Sequence, residues 1–144
     1  PHSSCLEVTK EAAELTLANS LNIPPGDTGL CIRRCVSADD IPVLYSCDAM
    51  PLSLFDPERL AAMDLSRPVF ELLEQAAGLE TTSTVAHIHA VMGEGQVRRL
   101  LRQQENQALL MLDEIFYSRL CRPILHCNTY YTDFFDFSIV RKLM

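Results

Sequence analysis

Two histidines stand one residue apart in His87-Ile88-His89, inside a stretch rich in Thr, Val and Ile. Side chains alternate along a strand, so both rings would share one face. Metal sites use this spacing. A third ligand would have to come from elsewhere, from His126 or a cysteine, and the spacing does not show convergence. A polar face that is solvated or lines a pocket is the simpler expectation. Six cysteines stand at 5, 31, 35, 47, 121 and 127, without a CxxC. Cys31 and Cys35 share a strand face, which would suit a redox pair. Yet only Arg33 and Arg34 are near enough in sequence to lower a thiol pKa. Small, apolar core filling is the expected role. The chain is long and core-rich enough to do without disulfide staples, so reduced, cytosolic, mostly buried thiols are expected.

Other chemistry finds no foothold. There is no G-x-S-x-G, Walker loop, GxGxxG or H-E-x-x-H, so neither a cofactor nor a hydrolytic site is expected. Net charge is −7, with 12 Lys and Arg against 19 Asp and Glu. The basic residues are scattered, and Arg98, Arg99 and Arg102 read as the wet face of a helix. A nucleic-acid surface needs a basic stripe to neutralise phosphates, so this chain alone should not bind DNA. No apolar run approaches the roughly 18 residues of a membrane span. At 144 residues and 48% hydrophobic, the chain suits one domain with a real core. It opens on Pro1, not Met, and is expected to be a segment of a longer protein.

The elements that must position these residues follow from periodicity and punctuation. Residues 4–10 alternate and read as a strand. Residues 11–21 read as a helix with Leu15, Ala18 and Leu21 on one face. Residues 22–27, with two prolines and a glycine, form a turn. Residues 28–36 and 42–50 read as strands of a hairpin around the turn at 37–40. Asp56-Pro57-Glu58 is a helix start, with an Asp cap and Pro in the first turn. Ser66-Arg67-Pro68 opens another helix that Gly78 closes. Residues 81–92 read as a strand and 95–103 as a short amphipathic helix. Residues 108–117 and 123–131 form a second hairpin around 118–122. Residues 134–140 read as a last strand. Tyr130, Tyr131, Phe134, Phe135 and Phe137 form the one aromatic cluster, expected mostly in the core.

The order strand, helix, strand, turn, strand occurs twice. Two phrases mark the duplication: Pro42-Val43-Leu44-Tyr45-Ser46-Cys47 lies over Pro123-Ile124-Leu125-His126-Cys127-Asn128. Each is the second arm of a hairpin, and its Pro stands where no ladder N–H is needed. The expected fold class is α+β, with a mainly antiparallel sheet and helices packed on it.

These motifs resemble a known family. A helix ending in A..L.I..GD, an I.R strand, a DD.PV turn and a strand running to MP are similar to the UTRA effector domain of HutC-type regulators, within the GntR family of bacterial transcription factors. The second half agrees, through Ile88 and Ala90, an LL helix, and P…YY.D…F at Pro123, Tyr130, Tyr131, Asp133 and Phe137. The resemblance covers nearly the whole chain. It implies a chorismate-lyase-like fold of two pseudo-duplicated halves around a six-stranded sheet. It implies a cytoplasmic homodimer that binds a small-molecule metabolite effector and meets DNA only through an N-terminal winged-helix domain outside this segment. It places the effector between the halves. Arg34 matches the family's pocket arginine, a guanidinium fork suited to phosphate or carboxylate. Tyr131 matches a ligand-donating tyrosine. Ser46, Ser66, His89 and Thr132 complete the candidate effector-binding set.

The departures carry information too. Sugar-phosphate sensors of the family often carry a Glu two residues after the second-half Pro; Leu125 stands there. They often carry Glu where this chain has Ser46, and Arg where it has Thr132. Pro68 replaces a phosphate-binding serine, although Ser66 is close. A different effector is expected, less charged or more apolar, or a pocket that has lost its ligand. Arg34 could instead be an ordinary strand arginine paired with an acid on a neighbouring strand. A lyase is the enzymatic alternative, since chorismate lyase shares the implied fold, but fold does not fix function, and the sequence places no carboxylate near Arg34 to act as an acid. A pure oligomerisation module is the third reading.

Overall fold

A computed structural model describes residues 2–144. The chain folds as β1 (His2–Ala12), α1 (Leu15–Leu21), β2 (Thr28–Ala38) and β3 (Ile41–Pro51), then α2 (Pro57–Ala61) and α3 (Val69–Ala77). The second half repeats the first as β4 (Thr81–Met92), α4 (Gly95–Leu100), β5 (Ala108–Ser118) and β6 (Pro123–Tyr131). All six strands form one antiparallel sheet in the order β1-β2-β3-β6-β5-β4. The expected α+β duplication is therefore present, and the repeated phrases are β3 and β6, which meet at its centre. Aligned at Pro42 and Pro123, the halves differ by 81 positions, so Cys47 corresponds to Asn128. Cys47 and Asn128 are also register partners, which puts a pseudo-twofold axis through that rung.

The duplication extends to backbone conformation. Asn22 and Arg102 take φ of 52° and 51°, ending α1 and α4 in the left-handed region. Gly26 and Asn106 follow with 90° and 63°, then Asp40 and Cys121 with 63° and 57° at the two hairpin turns. A non-glycine residue in the left-handed region is strained by roughly 1 kcal/mol. Cys121 is exposed at its turn. Cys121→Gly should therefore raise the melting temperature by a few degrees, read by circular dichroism. An unchanged or lower melting temperature would mean that the Cys121 side chain contributes contacts worth more than the strain.

The two faces of the sheet are covered differently. On one, α2 and α3 pack over Ile32, Met50, Leu125 and Phe116. The face of α3 that meets them, Leu72, Leu73 and Ala76, is at most 1% exposed. Asp56 caps α2 by accepting the Glu58 N–H at 3.0 Å, and Gly78 ends α3 at φ 65°, as expected. On the other face the halves interlock, with α1 against β6 and α4 against β3. Leu101 and Leu109 pack there with Tyr45 and Tyr130.

Three expectations are corrected. Residues 11 and 12 belong to β1, not to a helix, because they complete the ladder to Gly29 and Thr28. Residues 134–140 are not a strand. β6 already has β3 on one side and β5 on the other, so a following segment finds no free edge. The Phe135 N–H instead bonds back to the Thr132 carbonyl at 3.3 Å and turns the chain away. The aromatic cluster is not mainly core: Phe134 and Phe137 are 62% and 51% exposed. Phe135 and Phe137 stack edge-on against Tyr131 at 5.1 and 4.9 Å.

Candidate functional site

A cavity of about 400 Å³ opens on the face covered by α3, over the junction of the halves. Alternation along paired strands sets its wall. Arg34, Ser46 and Thr129 share one rung across β2, β3 and β6. Asp48, Cys127 and Glu114 share the next across β3, β6 and β5. Tyr131 and Ser66 complete the polar lining, and Phe70 and Phe116 are apolar walls in contact at 5.3 Å. Four of the six candidate residues, Arg34, Ser46, Ser66 and Tyr131, thus line one cavity.

The other two lie elsewhere. Thr132 is buried beside Val43, whose carbonyl accepts both its N–H and its hydroxyl at 3.1 Å. It closes β6 and lines a different hollow near α4. His89 is exposed on the edge strand β4, opposite Met111, as is His87 opposite Asp113. His126 is held by Asp113 at 2.7 Å. Among the described residues, no three His, Cys, Asp or Glu side chains are placed to hold a metal ion.

Arg34 is 5% exposed. Its Nη1 donates to the Asp48 carboxylate at 2.5 Å and its Nε to the Leu65 carbonyl at 3.3 Å. The pairing with an acid on a neighbouring strand is therefore real, and the expectation of no carboxylate beside Arg34 is corrected. The second Asp48 oxygen accepts from the Cys127 thiol at 2.8 Å. Burial pushes the Asp48 carboxyl above its ordinary range, and the Cys127 and Arg34 donors oppose that. Burial, and then the Asp48 charge, push the Cys127 thiol far above its ordinary value, which keeps it a protonated donor. Burial and the charge of Glu114 likewise push the Tyr131 hydroxyl up, so it stays a neutral donor at physiological pH.

Among the described residues that line this cavity, one buried side-chain atom is left over. Arg34 Nη2 is buried and has no hydrogen-bond partner. A buried guanidinium N–H without an acceptor is costly, and native structures usually satisfy such groups. Here it belongs to a residue that lines the cavity, so an acceptor on a bound molecule would complete it. Ser66 is held ready by its own loop: its N–H and hydroxyl both bond Asp64 Oδ1, at 3.0 and 2.7 Å. A neighbouring cavity of about 410 Å³ beneath α2 is almost wholly apolar, with Lys10 its one charged lining residue. It lacks convergent polar groups, and recognition needs those as well as volume.

Sequence reasoning missed Asp48, Cys127 and Glu114. Their signal was register, since all three share a face with Arg34 once the hairpins are aligned.

The UTRA domain family model matches residues 1–133. Comparison with curated protein sequences finds no relative. Solved structures share the fold. The effector domain of PhnF from Mycobacterium smegmatis superposes with a TM-score of 0.89 at 18% identity, covering 98% of this chain and 86% of that one. The crystal structure of PhnF from the same organism gives 0.88 at 17% identity, and the match spans 99% of this chain but only 63% of PhnF. A ligand-binding domain from Bordetella bronchiseptica, ascribed to a GntR-family transcriptional regulator, gives 0.82 at 24% identity, covering 99% and 90%.

Proposed function

Since the chain belongs to the UTRA domain family, we propose that it is the effector-sensing domain of a GntR-family transcription regulator. A small metabolite enters the cavity over the β3–β6 junction and completes the Arg34 guanidinium. The regulator is a cytoplasmic homodimer, and DNA is met by a separate N-terminal domain of the longer protein. The metabolite binds the DNA-competent and DNA-incompetent arrangements unequally, and only that difference can move operator affinity. No helix among the described residues is long and apolar enough to cross a membrane. The observation that carries the reading is the buried, unpartnered Nη2 of Arg34, a residue that lines the cavity over the β3–β6 junction.

The test is a thermal-shift screen against sugar phosphates, amino-acid catabolites, fatty acids, phosphonates and chorismate. A ligand at about 100 times its dissociation constant adds roughly 2.7 kcal/mol of stability. We expect a clear shift for one compound class, with the compound recovered unchanged. The shift should vanish in the Arg34→Met/Asp48→Leu double variant. Conversion of the compound would make the protein a lyase-like enzyme. A monomer by light scattering at high concentration would remove the homodimer from the reading.

A further inference from the structure

The cavity carries one negative charge that nothing answers. Its charged lining residues are Arg34, Asp48 and Glu114. Arg34 and Asp48 neutralise each other at 2.5 Å. Glu114, half-buried on β5 opposite Cys127, takes part in none of the ion pairs among the described residues. The lining therefore carries a net formal charge of −1. A phosphate or dicarboxylate entering this space would meet a guanidinium already committed to Asp48 and an unpaired carboxylate at close range. In a mostly apolar cavity that repulsion is weakly screened.

From this we infer that the effector bears a protonated nitrogen, held by Glu114, together with an oxygen that accepts from Arg34 Nη2. The inference rests on the sensor reading above and names the ligand class for that same cavity. The two anchors are independent. One is a carboxylate without a cation; the other is a guanidinium nitrogen, in a residue 5% exposed, without an acceptor. They lie on β5 and β2, three strand steps apart, or about 14 Å between backbones, and both side chains reach inward from there. A zwitterion or amino-alcohol of roughly amino-acid size spans what remains. Tyr131 and Ser66 offer neutral hydroxyls along the way, which suit such a molecule better than a dianion.

The experiment uses sets that differ in one group: 5-aminopentanoate, pentanoate and pentylamine; glucosamine, glucose and glucose 6-phosphate; the common amino acids and the polyamines. Each compound is tested at millimolar concentration by thermal shift, and hits by calorimetry, on the wild type and Glu114→Gln. Glu114 has no partner to lose, so the ligand-free variant should melt within about 2 °C of wild type. The expected result is a shift with amine-bearing members and none with their nitrogen-free counterparts. Affinity should fall about 10-fold or more in Glu114→Gln, the loss of one charge-assisted contact. Hits confined to anions or neutral compounds, or hits indifferent to Glu114→Gln, would overturn the assignment of a cationic effector and leave the sensor reading standing. No hit in any class would overturn the sensor reading, and this inference with it.

Discussion

Asp48→Ala lowers the melting temperature by on the order of 10 °C, read by circular dichroism at neutral pH. Asp48 is 3% exposed and Arg34 5%, so neither has water to fall back on. Removing one member of a buried ion pair leaves the other as an uncompensated charge, at about 3–5 kcal/mol. In a domain of this size each kcal/mol moves the midpoint by a few degrees. The double variant Arg34→Met/Asp48→Leu should behave oppositely. Apolar residues that replace a buried pair are often neutral or stabilising by about 1–4 kcal/mol, because the pair scarcely repays its desolvation. The double variant should melt near or above wild type and bind no effector. That outcome would show that the pair is kept for recognition, not for the fold. A double variant as unstable as Asp48→Ala would show the reverse.

The pH dependence has a defined sign. Burial holds the Asp48 carboxyl above its ordinary value of 3.8 in the folded protein. The native state then binds the proton more tightly than the unfolded state. This contribution to stability is full below about pH 4 and is lost as pH rises through the folded value. The double variant has no such group. Its advantage over wild type should therefore grow between pH 4 and neutrality.

Much of this arrangement could be read from residue types. Asp56-Pro57 and Gly78 mark helix ends because a cap and a left-handed terminus each need a particular residue. The paired phrases at Pro42 and Pro123 exposed the duplication because both hairpins must leave a turn in the same way. What escaped depends on partners distant in sequence. Glu11 and Ala12 read as helix formers, yet the ladder to β2 overrides so weak a preference. Residues 134–140 have strand composition, but composition cannot reveal that β6 has both edges filled. Asp48 was within reach of sequence reasoning. Placing Arg34 opposite Ser46 puts Asp48 one same-face step away on β3, diagonal to the guanidinium. Glu114 was not, because finding it needs the β5–β6 register as well as the β3–β6 pairing that joins the halves.

Leu125→Glu should abolish cooperative folding at neutral pH. The substitution restores the residue that sugar-phosphate sensors of the resembling family often carry after the second-half Pro, so it is a direct test of how this cavity differs. Leu125 is 0% exposed and packs in the cluster of Leu72, Leu73 and Phe116 beneath α3. Truncation alone, as Leu125→Ala, should cost about 2–5 kcal/mol. A carboxylate there adds an unpaired buried charge worth several kcal/mol more, against a total stability of roughly 5–15. A buried Glu binds its proton more tightly when folded, so native circular dichroism should return in part as pH falls. Ser46→Glu, the matching restoration in the first half, adds a third carboxylate beside Asp48 and Glu114, with one guanidinium to answer them. It should also melt below wild type, but by less, because Ser46 lines the cavity and not the packed cluster beneath α3. If Leu125→Glu instead melts like wild type, α3 must lift off β6 readily. The cavity would then extend beneath that helix, and the space open to an effector would be larger and more polar than the wall of Arg34, Asp48 and Glu114 defines.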